Sequence, residues 1–166
     1  MAKKKIVITL SREFPKTLPM AGQPTGFREK LHNTVTRHLQ GWCKLHTIRK
    51  NYDLWKHNAD KSQSGEFYLS VRQWSARPYN SPQVEIEQLH HPFHVQRIRM
   101  CYHCHDDSIC AWVDGKLYMG DNEVRTIAYN DGLLLDQFKD WFFADVRYRA
   151  DDEFNGVVIH FTDFAY

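Results

Sequence analysis

Gly41-Trp42-Cys43-Lys44-Leu45-His46-Thr47-Ile48-Arg49 is the stretch on which the fold turns. A helical pattern ends before it, an extended one begins within it, and the junction concentrates polar side chains. With Ile48 on the buried face of a short strand, Thr47 and Arg49 share the other face, because side chains two apart in a strand point the same way. Lys44 stands three residues before Thr47, on the opposite face of a straight strand. The two meet only if the backbone bends between Gly41 and Leu45, as a helix exit at Gly41 would make it do. The plainer alternative leaves Lys44 and Arg49 as solvated charges and Thr47 as an ordinary strand residue. By strand parity His46 faces away from Thr47 and reads as structural.

Upstream, Phe27, Leu31, Val35 and Leu39 recur every fourth residue after Thr25, a helix capped by the threonine and stopped by Gly41. Before it, Ser11 to Pro24 holds Pro15, Pro19, Gly22 and Pro24, an irregular loop that is long for a compact domain. Ile6 to Leu10 is a first strand. Downstream, Asn51 caps a short helix through Leu54 and Trp55. Phe67, Leu69 and Val71 then alternate with Tyr68, Ser70, Arg72 and Trp74, a strand whose second face carries rings beside a cation. Arg72 and Trp74 could stack a base there, or simply edge a core.

Pro78 to Pro82 forms a turn before a strand from Val84 to Leu89. Val95 to His105 and Ile109 to Val113 read as a hairpin, and Asp114-Gly115 turns tightly into Lys116 to Met119. Val124, Ile127 and Ala128 precede the turn Asn130-Asp131-Gly132. Leu135, Phe138, Trp141 and Phe142 repeat at helical spacing, and Val157 to Phe161 is a last strand. The chain shows no internal repeat, Gly-rich phosphate loop, nucleophile elbow or dinucleotide fingerprint.

At 166 residues the chain is read as a single domain over 1–166, long enough to bury a core. No apolar run approaches the roughly 18 residues of a membrane span. Met1-Ala2-Lys3-Lys4-Lys5 leads into a strand rather than a signal peptide, so no membrane and a cytoplasmic location are expected. Residues 1–50 carry a net charge of +9 and the rest −7, an asymmetry that favours an anionic partner unless the two parts neutralise each other. Between His90 and Met119, histidines crowd with Cys101, Cys104 and Cys110. Cys101-x-x-Cys104 is a spacing zinc sites use, but no second such pair follows, and strand alternation separates the candidates, so free thiols and no metal are expected.

These elements make an α+β chain, a small mixed β-barrel with two or three flanking helices. Lys44-Leu45-His46-Thr47-Ile48-Arg49 after a helix, the strand at Phe67, Asn130-Asp131-Gly132 before Leu135 to Phe142, and the terminal Val157-Val158-Ile159-His160-Phe161 together resemble the ASCH domain. That domain belongs to the PUA-like superfamily of pseudo-barrels. The resemblance runs from about Phe27 to Phe161, with a probable insertion around 51–65 and the His/Cys-rich hairpin around 90–119 as additions.

The resemblance implies a basic cleft that receives a nucleotide, a modified base or RNA, with Lys44, Arg49, Arg72 and Trp74 as its ligand-binding residues. It also implies an alternative. Small bacterial members are amidohydrolases that deacetylate N(4)-acetylcytidine with a lysine, a threonine three residues later and a carboxylate before the second helix. Lys44 and Thr47 match the first two, and Asp131 stands where the family has glutamate. The shorter side chain moves the carboxylate beyond the roughly half-ångström tolerance of catalysis, so binding is the preferred expectation. In the hydrolytic alternative Thr47 would attack or position water, Lys44 would be the base, Asp131 the proton donor, and Arg49 would hold the substrate. No cofactor is expected, and a zinc-binding role ranks third.

Overall fold

A computed structural model describes residues 3–38 and 40–166. Met1 and Ala2, which open the basic start, and Leu39, the last residue of the expected helical stripe, lie outside the described residues. In chain order the elements are β1 (Lys4–Thr9), α1 (Phe27–Val35), β2 (His46–Arg49), α2 (Tyr52–Ser62), β3 (Phe67–Trp74) and β4 (Gln83–Leu89). They continue with β5 (Val95–His103), β6 (Ser108–Val113), β7 (Lys116–Met119), α3 (Asp121–Asn130), α4 (Leu135–Phe143) and β8 (Asp152–His160). The fold is α+β, with two mostly antiparallel sheets ordered β1-β3-β4 and β2-β8-β5-β6-β7. The exception is β1, which runs parallel to β3.

The alternation read in β3 holds for Leu69 and Val71 in the core and for half-buried Tyr68, Arg72 and Trp74, but Ser70 is buried as well and Phe67 is only half-buried. Strand β8, which lies between β2 and β5 in the larger sheet, breaks alternation, with Gly156 to His160 all buried, as in strands covered on both faces. A side chain at Gly156 would strike the Arg49 carbonyl, so this glycine lets β8 lie close against β2. The loop before α1 is anchored by buried Phe14 and Leu18, and Phe14 meets Trp141 of α4 edge to face at 5.7 Å.

Two expectations need correction. Helix α1 stops at Val35, well before Gly41. Arg37 takes the left-handed conformation (φ 55°), and His38 N–H bonds the Asn33 carbonyl at 2.8 Å, the bond pattern glycine usually supports. Val35 is consequently exposed, and the buried face is Phe27, Leu31 and Thr34. Gly41 serves close approach instead, since any Cβ there would collide with the Asn33 side chain, which donates to the Trp42 carbonyl. The second correction is that the residues ahead of Asn130 form a full helix, α3, giving four helices among the described residues rather than two or three. The segment 51–65 is α2 and its exit, capped by the Asn51 side chain as expected. The His/Cys-rich region is the β5-β6-β7 meander. No helix among the described residues is long and apolar enough to cross a membrane.

Candidate functional site

The site is assembled at the C-terminal end of α3. Gly132, at φ +82°, closes the helix: its N–H bonds the Tyr129 carbonyl at 3.0 Å, and Leu133 N–H bonds the Ala128 carbonyl at 2.9 Å. Asp131 is therefore the C-cap residue, fixed in backbone and side chain. The last carbonyls of a helix are unsatisfied and carry the negative end of its dipole. Here the motif region answers them. Trp42 Nε1 donates to Tyr129 and Leu45 N–H to Asn130, each at 2.8 Å. The Lys44 ammonium donates to the Asp131 carbonyl, and Lys30 Nζ to Gly132 at 2.8 Å.

Lys44 Nζ also reaches Asp131 Oδ1 at 2.6 Å, in a pair whose residues are 0% and 4% exposed. The ammonium lies 4.2 Å from the centre of the Phe27 ring. Burial pulls Lys44 down to about 8, against the pull of Asp131, and the nearby charges of Arg49 and Lys30 lower it further. Burial pushes the Asp131 carboxyl up, against Lys44, Arg49 and the Ile48 N–H on the open edge of β2. Both shifts run toward the neutral forms, so burial narrows the gap in proton affinity between the two groups.

Thr47 and Arg49 share a face, as their spacing predicts. Arg49 Nη1 donates to Thr47 Oγ1 at 3.1 Å and to the Ile48 carbonyl at 2.9 Å, while Nη2 donates to the Thr9 carbonyl at 2.8 Å. One guanidinium thus ties β2 to the end of β1 and holds a threonine that is 2% exposed. Arg72 and Trp74 lie in the other sheet. Arg72 donates to Ser70 Oγ at 3.0 Å, and Trp74 packs on Tyr79 at 5.3 Å. Among the described residues no hydrogen bond or ion pair joins them to Lys44 or Asp131. Their link to the site runs through Thr9, the register partner of Arg72.

His46 faces away from Thr47, yet it belongs to the same site. Its Nδ1 is 3.9 Å from Asp131 Oδ1, and its Nε2 is 2.7 Å from the Tyr166 hydroxyl. Asn130 Nδ2 donates to that hydroxyl at 3.0 Å, and when the phenol in turn donates to Nε2 the His46 proton sits on Nδ1, toward Asp131. His46 pairs across the sheet with His160, whose ring stacks on His94 at 4.3 Å. Four buried nitrogens in this row, His46 Nδ1, His94 Nε2 and both of His160, have no hydrogen-bond partner among the described residues. Burial keeps His46 well below the ordinary histidine value, helped by Lys44 and His160, and holds His160 at about 3, helped by His94. This row depends on the pairing of distant strands, so no local signal announces it.

Beyond Val157, β2 no longer covers β8, and the free flank of residues 152–155 borders a cleft of about 540 Å³. Arg49 and Lys50 line it with the rings of Trp141, Phe142 and Phe154, and Asn155, Asp152 and Glu153 complete the lining; with the Arg49 guanidinium given to Thr47, Ile48 and Thr9, Lys50 is the cation the cleft can offer. Sequence reading placed Trp141 and Phe142 on the core stripe of α4. The buried positions are in fact Phe138, Lys139 and Phe143. The available sign was apolar residues at 135, 138, 141, 142 and 143, too wide an arc for one buried stripe.

Cys101, Cys104 and Cys110 are free thiols. Cys101 and Cys110 are cross-strand partners, Cys101 Sγ donates to Glu153 at 3.7 Å, and Cys104 sits in the turn with its N–H on Asp151. Among the described residues no three His, Cys, Asp or Glu side chains converge as metal ligands. Compared with known proteins, the chain matches no family model, no curated protein and no solved structure.

Proposed function

We propose that the chain is an ASCH-like domain of the PUA-like type that binds a nucleotide, a modified nucleoside or RNA in the cleft between β2, β8 and α4. The observation that carries this reading is the composition of the cleft: Arg49 and Lys50 line it together with Trp141, Phe142 and Phe154, beside Asn155, Asp152 and Glu153. Cations meet phosphate or base edges, and rings stack bases. The pseudo-barrel part of the proposal is supported by Arg49, which bridges β1 and β2, the facing edge strands of the two sheets. Lys44, Thr47 and Asp131 are closed to solvent, which suits a buried framework behind a binding surface. Calorimetric titration with UMP, CMP and cytidine tests it. Lys50→Ala and Trp141→Ala should each weaken binding about tenfold, roughly 1.4 kcal/mol. Wild-type affinity in both variants would end the proposal.

One observation favours the amidohydrolase alternative: Lys44, brought to about 8, lies in contact with Asp131, and the charge of Arg49, which holds Thr47, acts on both. In that reading Lys44 takes the proton of Thr47 or of a water that Thr47 positions, and Asp131 returns one to the leaving amine. Hydrolysis of N(4)-acetylcytidine would rise with pH through about 8 as Lys44 loses its proton, and Lys44→Ala would abolish it. Absence of turnover in the folded protein leaves binding alone.

A further inference from the structure

On the β5–β6 side of the sheet lies a second hollow, of about 500 Å³, built differently from the cleft. Arg97 and Arg99 stand two apart on β5, so they point to the same side and their Cα atoms are about 6.7 Å apart. Each guanidinium is set on a ring. Arg97 lies 3.7 Å from the centre of Tyr52, and Arg99 lies 5.1 Å from that of Trp112. Both arginines are exposed. Arg97 has no carboxylate partner among the described residues. Asp114, the acid in the hollow, is already engaged by the Arg97 backbone N–H at 2.8 Å and by Gln96 Nε2 at 3.2 Å. Arg99 pairs with Glu153 at 2.8 Å, but both side chains are about half exposed, and such pairs are worth about 1 kcal/mol or less, so a phosphate can compete for the guanidinium.

The hollow neighbours the cleft at two points. Lys50 lines the cleft, and Tyr52, two residues on, lines the hollow. Asn155 lines the cleft and is the register partner of Arg99. Because a guanidinium already covers the Tyr52 face, what the hollow offers a ligand is N–H edges in a stiff, ring-supported row. Such edges fit phosphate oxygens rather than bases.

We infer that the ligand is a single-stranded polynucleotide, one base of which enters the cleft while the phosphodiesters of its neighbours cross Arg97 and Arg99. This rests on the nucleotide-binding reading of the cleft and extends it from a monomer to a strand. Recognition in the hollow is independent of base sequence and of the 2′-hydroxyl.

Fluorescence anisotropy with labelled U8 and dT8, beside calorimetry with UMP, tests the inference over a salt series. U8 should bind at least about tenfold tighter than UMP, and dT8 should match U8 within about threefold, since the phosphates are what the arginines meet. Arg97→Ala with Arg99→Ala should return U8 to about the affinity of UMP and reduce the log–log salt slope by about 1.4, or about 0.7 for each phosphate no longer neutralised. UMP binding should not change in that double variant, whose fold is checked by thermal melting. Equal affinity for U8 and UMP, or a double variant with the wild-type slope, overturns the inference while UMP binding keeps the cleft reading intact. Arginine-dependent U8 binding without any UMP binding supports the hollow and removes the cleft. A preference above about tenfold for U8 over dT8 overturns the phosphate-only recognition.

Discussion

Two clusters of charge lie under cover in this protein, and they are built in opposite ways. Around Asp107, in the β5–β6 turn, every charge is answered. Arg147 grips both its oxygens, Nε to Oδ1 at 2.9 Å and Nη2 to Oδ2 at 2.8 Å, and also holds Asp140 and Asp136 at 2.8 Å. Tyr102 and Lys139 donate to Asp107 as well. Burial pushes Asp107 up, but these bonds outweigh it and hold the carboxyl at about 2. Arg147 is shifted up first by its bonds to Asp107. At Lys44, Asp131, His46 and His160 burial outweighs the bonds and charges that oppose it, and each shift runs toward the neutral form. Hydrogen bonds that win over burial make a brace. Burial that wins over hydrogen bonds leaves groups able to exchange protons, as functional sites require.

The largest expected effect separates the two clusters by removing one partner from each. Asp131→Ala strands a buried ammonium at the end of α3 and should cost about 3–5 kcal/mol in urea unfolding at pH 7. The loss should shrink as pH rises above neutrality. Without Asp131 the folded Lys44 binds its proton still more weakly than the unfolded chain does, so stability grows with pH up to about 10.5. Arg147→Ala should cost less, about 2 kcal/mol, because Asp107 keeps Tyr102 and Lys139. A greater loss for Arg147→Ala than for Asp131→Ala would break the distinction.

Acid should find the two clusters at different pH. Unfolded histidines take up protons near 6.5, whereas folded His160 does so only at about 3 and His46 also far below its ordinary value. Their contribution is therefore complete above pH 6.5 and is lost as pH falls toward 3, at up to about 1.4 kcal/mol per pH unit for each histidine. Asp107, depressed from 3.8 to about 2, keeps its contribution until pH nears 3.8 and loses it only below. Urea unfolding from pH 7 to 4.5 should show a steady decline that His160→Phe makes shallower. A flat profile in the wild type would mean the row is not held neutral.

Much of this contrast was readable before folding, and the unreadable part has a physical cause. Strand parity put Thr47 with Arg49, and the structure joins them, while Lys44 meets Asp131. The same parity turned His46 away from Thr47, which is true. It could not show that the far side of an edge strand meets the α3 C-cap, because that contact is set by chain some 85 residues on. The histidine row needs the β2–β8–β5 register and the return of Tyr166, neither of which leaves a local trace. Arg37 hid the end of α1 by taking a conformation that costs an arginine about 1–2 kcal/mol. Arg147 sits in a polar run that gave no sign of its four bonded carboxylate oxygens.

The smallest expected effect tests whether that brace is uniform. Asp136 and Asp140 both accept from Arg147 at 2.8 Å, but the Asp136 side chain is 81% exposed and that of Asp140 16%. Water can replace the guanidinium at Asp136 and cannot readily do so at Asp140. Asp136→Asn should therefore change stability by about 0.5 kcal/mol or less and fade in salt, as exposed pairs do. Asp140→Asn should cost more and resist salt. Equal losses from the two, read by urea unfolding at about 0.05 and 0.5 M NaCl, a range over which the screening length falls severalfold, would show that Arg147 distributes its charge regardless of cover, and burial would then no longer explain why one cluster braces the fold while the other holds its protons loosely.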